Sequence, residues 1–244
     1  MATNVIPLRE NAELMPEGLE AYADALSLEH AGRSAHDILH AAIHDLFPGR
    51  IALVSSFGAE SVALLHLVSQ VNPDLPVIFL DTGKHFAQTL SYKRKLATRL
   101  KLTNIIDMHP EAGALADKDP DGNLWRDQPD ACCTLRKVTP LETALNPFGA
   151  WITGRKQFHG GERMKLPVFD ASAPHIKVNP LVEWQSEDVA AYNQAHNLPA
   201  HPLVAQGYPS IGCWPCTHPV ADGEDVRAGR WRGKAKTECG IHQK

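Results

Sequence analysis

Apolar positions recur at helical spacing through residues 17–31 and again through 34–46, which predicts two amphipathic helices. From residue 50 the pattern changes. The apolar run RIALVSS predicts a buried strand, and AESVALLHLVSQV predicts a helix whose end is punctuated by Pro73 and Pro76. PVIFLDTG reads as a second buried strand, FAQTLSYKRKLATRL as a helix with a basic outer face, and TNIIDM as a third strand. Strands and helices alternating through short connections predict a mostly parallel open sheet flanked by helices, an α/β fold.

Residues 110–130 carry Asp, Pro and Gly without periodicity and read as a loop. AWITG is a fourth strand candidate, GRKQFHGGERMK a polar loop, and HIKVNPL a fifth strand candidate. Ser186 has the character of an N-cap, with Glu187 and Asp188 in the first turn of a helix running to about His196. Beyond it the chain is rich in Pro and Gly. No internal repeat, low-complexity tract or clear linker interrupts it. The expected organisation is a helical N-terminal segment over 1–48, an α/β unit over 49–200 and an irregular C-terminal extension over 201–244, all within one domain.

Composition adds little to this picture but removes some function classes. With 244 residues, 43% of them hydrophobic, the chain is long enough to bury a sizeable core. A formal net charge of -4 gives no global case for a nucleic-acid binder, although local basic clusters remain available to a small anion. The first residues, MATNVIPLRENAELMPEG, lack the basic and apolar regions of a signal peptide. The longest apolar stretch, around SVALLHLVSQV, is far below the roughly 20 residues that span a bilayer. The expectation is a soluble cytoplasmic protein, in which five cysteines serve as ligands or reactive groups rather than disulfides.

Chemistry concentrates in a few stretches. SSFGAES joins the first strand to the next helix, where ligands of open parallel sheets bind and where a helix N-terminus favours an anion. An ordinary capped turn explains it equally well, and no Gly-Lys-Ser/Thr follows to make a Walker motif. LDTG, after the second strand, falls at the same sheet edge and tips the balance towards a nucleotide pocket.

Cys132 and Cys133 are adjacent, and Cys213 and Cys216 form a C-x-x-C. Four thiolates suit zinc or an iron–sulfur cluster. Adjacent cysteines fit the spaced pairs of a zinc site poorly but can each bind a different iron, which favours [4Fe–4S]. Buried cysteines plus a redox C-x-x-C is the weaker alternative.

Cys239 stands apart from both pairs, near the end of the sequence. Arg136, Lys137, Arg227, Arg230, Arg232, Lys234 and Lys236 suggest a polyanion clamp, and such cations would favour its thiolate. Of the 13 histidines, His36, His40 and His44 recur at helical spacing and read as a partly exposed helix face. His242, three residues after Cys239, either tunes the thiol or the ligand or is simply an exposed tail residue.

From about residue 50 onward the chain resembles the assimilatory adenylyl-sulfate reductases of the adenylyl-sulfate/phosphoadenylyl-sulfate (APS/PAPS) reductase family. The motifs are SSFGAES, LDTG, CCTLRKVTPL, TGRKQ, NPL, GYPSIGCWPCT, GRW and KTECGIH, in that order. Residues 1–49 carry no motif of this kind. The resemblance implies an adenine nucleotide alpha-hydrolase-like fold, akin to the ATP pyrophosphatases. It implies a [4Fe–4S] cluster on Cys132, Cys133, Cys213 and Cys216, with Cys239 as nucleophile on a mobile tail. It assigns sulfate and phosphate contacts to Lys137, Arg163, Arg227 and Arg230. Ser56 to Gly58, Leu80, Thr82 and Gly83 would line the nucleotide pocket, with Gly154 at its edge and His242 near the ligand.

The departures are RKQFHGGER, where relatives often carry two arginines before Asp-Gln-Ser, and Phe57 at a position that is often serine. The implied reaction is thioredoxin-dependent reduction of adenylyl sulfate to sulfite and AMP through an S-sulfocysteine. Neither nucleic acid nor membrane takes part, and self-association into a homo-oligomer stays open.

Three alternatives accompany this reading. Phosphoadenylyl sulfate, alone or together with adenylyl sulfate, is the rival substrate, although enzymes devoted to it usually lack the four cluster cysteines. An ATP pyrophosphatase-type adenylyltransferase would share the fold but would show a fuller Ser-Gly-Gly-x-Asp-Ser loop. An iron–sulfur carrier would not need the nucleotide loops.

Overall fold

In a computed structural model, which describes residues 16–234, 236 and 238–242, the strand–helix alternation becomes one mixed sheet. The helices before it are α1 (Pro16–Glu29) and α2 (Ala35–His40), the latter continued by a π turn over Ala41–Leu46. The segment 1–15, which carries most of the stretch read as lacking a signal peptide, lies outside the described residues.

The alternating part comprises β1 (Ile51–Val54), α3 (Ser61–Val71), β2 (Val77–Leu80), α4 (Ala87–Arg99) and β3 (Ile105–Met108). Three short helices follow: α5 (Ala112–Lys118), α6 (Leu124–Asp127) and α7 (Pro129–Cys133). A π turn over Thr134–Val138 leads into α8 (Thr139–Leu145), then β4 (Ala150–Ile152), β5 (Phe169–Ser172), β6 (His175–Val178) and α9 (Ser186–Ala195). The spatial order is β3-β2-β1-β4-β6-β5, parallel throughout except for β5 against β6.

Strand residues alternate between two buried faces. Ile51, Leu53, Val77, Phe79, Ala150 and Ile152 join the large core, which includes residues of α1, α2, α3 and α4. Ala52, Ile78, Leu80 and Trp151 face the other way, against Leu141 and Leu145 of α8. Strands buried on both sides read as continuous apolar runs, which is why the sequence pattern finds them. No helix among the described residues is long and apolar enough to cross a membrane.

Several expectations need correction. The segment 110–130 is not a plain loop but carries α5, α6 and the start of α7; Glu111 caps α5 by accepting from the Gly113 and Ala114 amides. The segment 131–149, for which the pattern predicts nothing, holds α8, the cover of the second sheet face. Edge strand β5 also escapes the pattern: its polar Asp170 is buried, paired with Arg155, which breaks the apolar run. The N-cap of α9 is Gln185 rather than Ser186, and its backbone amide donates to the Asp188 carboxylate in a capping box. The polar loop after β4 contains two short 3-10 turns, Gln157–His159 and Gly161–Lys165.

The C-terminal extension is irregular, as expected, and is tied together by local pairing. Residues Thr217 and Arg230 form an antiparallel bridge, and the His218 amide donates to the Gly229 carbonyl at 2.9 Å. A Cβ on Gly229 would lie 2.1 Å from the His218 carbonyl oxygen, so the two backbones meet only because residue 229 has no side chain. Gly229→Ala is expected to destabilise the protein by roughly 1–3 kcal/mol through forced separation of these strands. Thermal unfolding checks this, and an unchanged midpoint would contradict it.

Candidate active site

The carboxyl ends of β2, β1 and β4 lie side by side at one edge of the sheet. Strand β1 sends the chain outward to β2 on one side and has β4 on the other, so the β1/β4 crevice is the topological switch point, where open α/β sheets bind ligands. A cleft opens there, walled by residues 53–56, 58–61 and 153–156, by Pro209 to Gly212, and by the tail residues Glu238, Cys239, Ile241 and His242.

The SSFGAES turn is held by its own side chains. The Ser55 hydroxyl accepts from the Phe57 amide at 3.2 Å. Phe57 takes a positive φ of 50°, unusual for a bulky residue, and its buried ring packs edge-on against Phe79 at 5.7 Å. The aromatic residue at this position therefore anchors the turn in the core and leaves Ser56 and Gly58 facing the cleft. Glu60, just before α3, is met by Lys156 Nζ at 2.8 Å and His159 Nε2 at 3.1 Å. Burial would raise its pKa, but His159 and Lys156 outweigh that and hold it at about 2.

Of the residues expected at the site as nucleophile, anion contacts or pocket lining, Ser56, Gly58, Leu80, Lys137, Gly154, Arg163, Arg227, Arg230, Cys239 and His242 border this one cleft. Thr82 and Gly83 do not. Thr82 is buried against the cysteines instead, its hydroxyl 3.3 Å from Cys213 Sγ and its carbonyl accepting from Arg136. Gly83, at φ 67°, makes the turn that brings this about.

The basic residues divide in the same way. Lys137, Arg227 and Arg230 reach the cleft. Arg136 is buried in a pair with Asp119 at 2.6 Å, Arg232 pairs with Glu224, Lys234 donates to the Trp125 carbonyl, and Lys236 pairs with Asp130. These four cations have partners within the protein. Arg136→Ala would leave Asp119 as a buried carboxylate without its cation, and a loss of roughly 3–5 kcal/mol is expected in urea unfolding. A stability equal to the parent's would show that the pair is dispensable.

The tail is docked. Gly240–His242 forms a 3-10 turn, and a Cβ on Gly240 would meet Val138 at 3.2 Å. His242 is not an exposed tail residue: its ring stacks on Trp151, with centroids 5.9 Å apart and planes nearly parallel. Burial, with Arg155 and Arg163 nearby, holds its pKa well below the usual histidine value. Cys239 Sγ lies 3.7 Å from Lys137 Nζ. The Cys133 hydrogen bond and the Lys137 charge overcome burial and hold the Cys239 thiol well below its ordinary pKa, with Arg230 adding to this. Lys137 in turn is held above the usual lysine value: burial opposes its charge, but Cys213, Cys239 and Cys133 outweigh it. Among the described residues, Arg230 Nε and His242 Nδ1 are buried polar atoms without a hydrogen-bond partner, and both residues border the cleft. Such atoms are costly unless a ligand or water meets them.

Behind Lys137 lies a second, smaller cavity. Cys132, Cys133, Cys213 and Cys216, all free thiols, line it together with Thr82, Trp125 and Arg136. Cys132 and Cys133 end α7, while Cys216 closes the 3-10 turn Trp214–Cys216, and Cys213 bridges to His85. The two motifs, about eighty residues apart in sequence, thus share one cavity. Among the described residues no three His, Cys, Asp or Glu side chains converge on a point that a single ion could fill. Lys137 and Arg230 border both cavities.

Sequence reasoning gives no role to Glu60, Lys156, His159, Trp151 or Glu238, all of which line the cleft. Glu238 could have been suspected, since it is the carboxylate immediately before the isolated cysteine. The others become visible only once the strand ends are side by side.

Comparison with known proteins agrees with this geometry. Residues 50–219 match the phosphoadenosine phosphosulfate reductase domain family. A protein of Mesorhizobium japonicum named adenosine 5'-phosphosulfate reductase is 51% identical over 226 residues, covering 93% of this chain and 89% of the relative. A Bacillus cereus protein of the same name is 44% identical and covers 80% of this chain and 85% of its own. Among solved structures, phosphoadenylyl-sulfate (PAPS) reductase from Candida auris, in a phosphate complex, superposes with a TM-score of 0.68 at 29% identity, covering 84% of this chain and 98% of that one. FMN adenylyltransferase from Candida glabrata, at 16% identity and a TM-score of 0.54, covers 87% of this chain and 75% of its own. That last likeness shows the fold alone.

Proposed function

The chain belongs to the phosphoadenosine phosphosulfate reductase domain family, and from that premise we propose that it reduces adenylyl sulfate to sulfite and AMP, with Cys239 as nucleophile and thioredoxin as reductant. One observation carries the reading most: an isolated cysteine from the tail lies in a switch-point cleft, 3.7 Å from a lysine and beside arginines suited to an anion. The names of the relatives at 51% and 44% identity support adenylyl sulfate as substrate and assimilatory sulfate reduction as the process served.

The nucleotide would lie between the loops after β1 and β4, along Ser56, Gly58, Leu80 and Gly154. Arg163, Arg227, Arg230 and Lys137 would meet its phosphate and sulfate oxygens, where charge-assisted bonds are strongest. The Cys239 thiolate attacks the sulfate sulfur. A bond forms between the two sulfurs, the sulfur–oxygen bond to the nucleotide breaks, and AMP leaves with the electron pair on its phosphate oxygen. Lys137 stabilises the thiolate beforehand and the sulfate oxygens during transfer. A thioredoxin thiolate then attacks Cys239 Sγ, sulfite leaves with the electron pair of the sulfur–sulfur bond, and the second thioredoxin thiol resolves the mixed disulfide. Thioredoxin loses two electrons and the sulfate sulfur gains them. The N-terminal helices, the α/β unit and the C-terminal extension act as one domain in this scheme, in the cytoplasm.

Cys132, Cys133, Cys213 and Cys216 would hold a [4Fe–4S] cluster. The fit is supported by four free thiols lining one cavity. Such a cluster supplies electrostatics and local structure behind Lys137.

Phosphoadenylyl sulfate is the second reading, favoured by the likeness to the Candida auris enzyme. Sulfite release from each sulfonucleotide, with thioredoxin present, separates them. Sulfite from adenylyl sulfate at much the higher kcat/KM is expected. Preference for the 3'-phosphorylated substrate would reverse the assignment, and sulfite from neither would end it.

A further inference from the structure

All three nitrogens of the Arg163 guanidinium have partners. Its Nε and Nη2 donate to the two carboxylate oxygens of Glu238 at 2.8 and 2.7 Å, and its Nη1 lies 3.1 Å from His159 Nδ1. Arg227 Nη2 reaches the same Glu238 at 3.4 Å. The carboxylate is therefore bound bidentately by one arginine and contacted by a second, as a phosphate or sulfate group would be. Glu238 Oε1 also accepts the backbone amide of Cys239 at 3.0 Å. One carboxylate thus links the cations of the cleft to the tail that carries the thiol.

We propose that Glu238 is an internal placeholder for the nucleotide's anionic group, exchanged against it at Arg163 and Arg227 as the nucleotide enters and leaves. The proposal rests on the reading of those two arginines given above. Because Arg163 has both of its carboxylate-facing nitrogens engaged, an incoming phosphate or sulfate must displace Glu238 to bind it. The rest of the tail has its own anchors: His242 on Trp151, Ile241 against the apolar cluster around Trp151 and Leu141, and Cys239 beside Lys137 and Cys133. Glu238 can therefore give way while Cys239 keeps its place. When AMP has been formed, the returning carboxylate competes for the same cations and assists its release. Linkage makes the effect reciprocal: whatever factor the carboxylate costs the nucleotide in affinity, the nucleotide costs the docked carboxylate. Burial would raise the carboxylate's pKa, but Arg163 and Arg227 hold it at about 2, so the competitor stays charged at any working pH.

Glu238→Gln tests this, since it keeps the shape and removes the charge. Calorimetric titration of anaerobically prepared full-length holoenzyme with AMP should show binding about tenfold tighter in the variant, the size of one lost charge-assisted competitor. The KM for adenylyl sulfate should fall with it. Turnover should fall severalfold, because AMP leaves more slowly. Glu238→Asp, which keeps the charge, should return AMP affinity towards the parent value. If the parent binds AMP and Glu238→Gln binds it equally or more weakly, the placeholder role is wrong while the function stands. If the parent does not bind AMP, the anion site itself is misassigned and both fall.

Discussion

Cys239→Ser is expected to lower sulfite release from adenylyl sulfate by at least about 10³-fold, while the protein keeps its iron, its colour and most of its AMP affinity. The substitution exchanges sulfur for oxygen with little change in volume. A serine hydroxyl stays protonated at neutral pH and is a poor nucleophile towards sulfur, so the charge of Lys137, 3.7 Å from Sγ in the parent, has nothing comparable to stabilise. The four thiols of the second cavity are untouched by the change. Steady-state sulfite assay beside iron and acid-labile sulfide analysis checks both halves. Turnover near the parent rate would mean that the C-x-x-C, not the tail, is the redox centre. Stoichiometric zinc without iron in active, anaerobically prepared protein would overturn the cluster.

Lys137→Met is the second large effect, expected to slow S-sulfo transfer by roughly 10²–10³-fold, the usual cost of removing one preorganised cationic or hydrogen-bonding group at a site of developing charge. Methionine preserves much of the side-chain length, so the separation between the two cavities should persist. Lys137 lies 3.7 Å from Cys239 Sγ and borders both cavities, and Cys213, Cys239 and Cys133 all favour its charged form. Losing it removes the cation beside the nucleophile. Single-turnover formation of the S-sulfo adduct is the measurement that isolates this step. An adduct formed at the parent's rate would leave Lys137 a bystander to the thiol, whatever it does for the cluster.

The sheet could be read from the sequence wherever a strand is buried on both faces, because Ile51, Leu53, Val77 and Phe79 form unbroken apolar runs with Ala52, Ile78 and Leu80. Strand β5 could not, because Asp170 becomes acceptable inside only through Arg155, a partner in another loop. Helix α8 went unread for a related reason: it follows a π turn that starts at the adjacent cysteines, and two interrupted half-patterns do not add to one helical period. The cysteines and the cleft arginines were visible as motifs. Which cations face the cleft was not, since Arg136 and Lys137 are neighbours in sequence yet one is paired inside with Asp119 and the other meets Cys239. Thr82 shows the same limit: LDTG reads as a polar strand end, and only the structure shows the Thr82 hydroxyl 3.3 Å from Cys213 Sγ.

The account's central claim is that Cys239 receives the sulfonate group of adenylyl sulfate. Its most direct test is intact-protein mass spectrometry of the parent after incubation with adenylyl sulfate and no thioredoxin. The account predicts a gain of one sulfonate per chain, mapping to the C-terminal peptide and released as sulfite on adding reduced thioredoxin. No adduct, or one on Cys213 or Cys216, would contradict it.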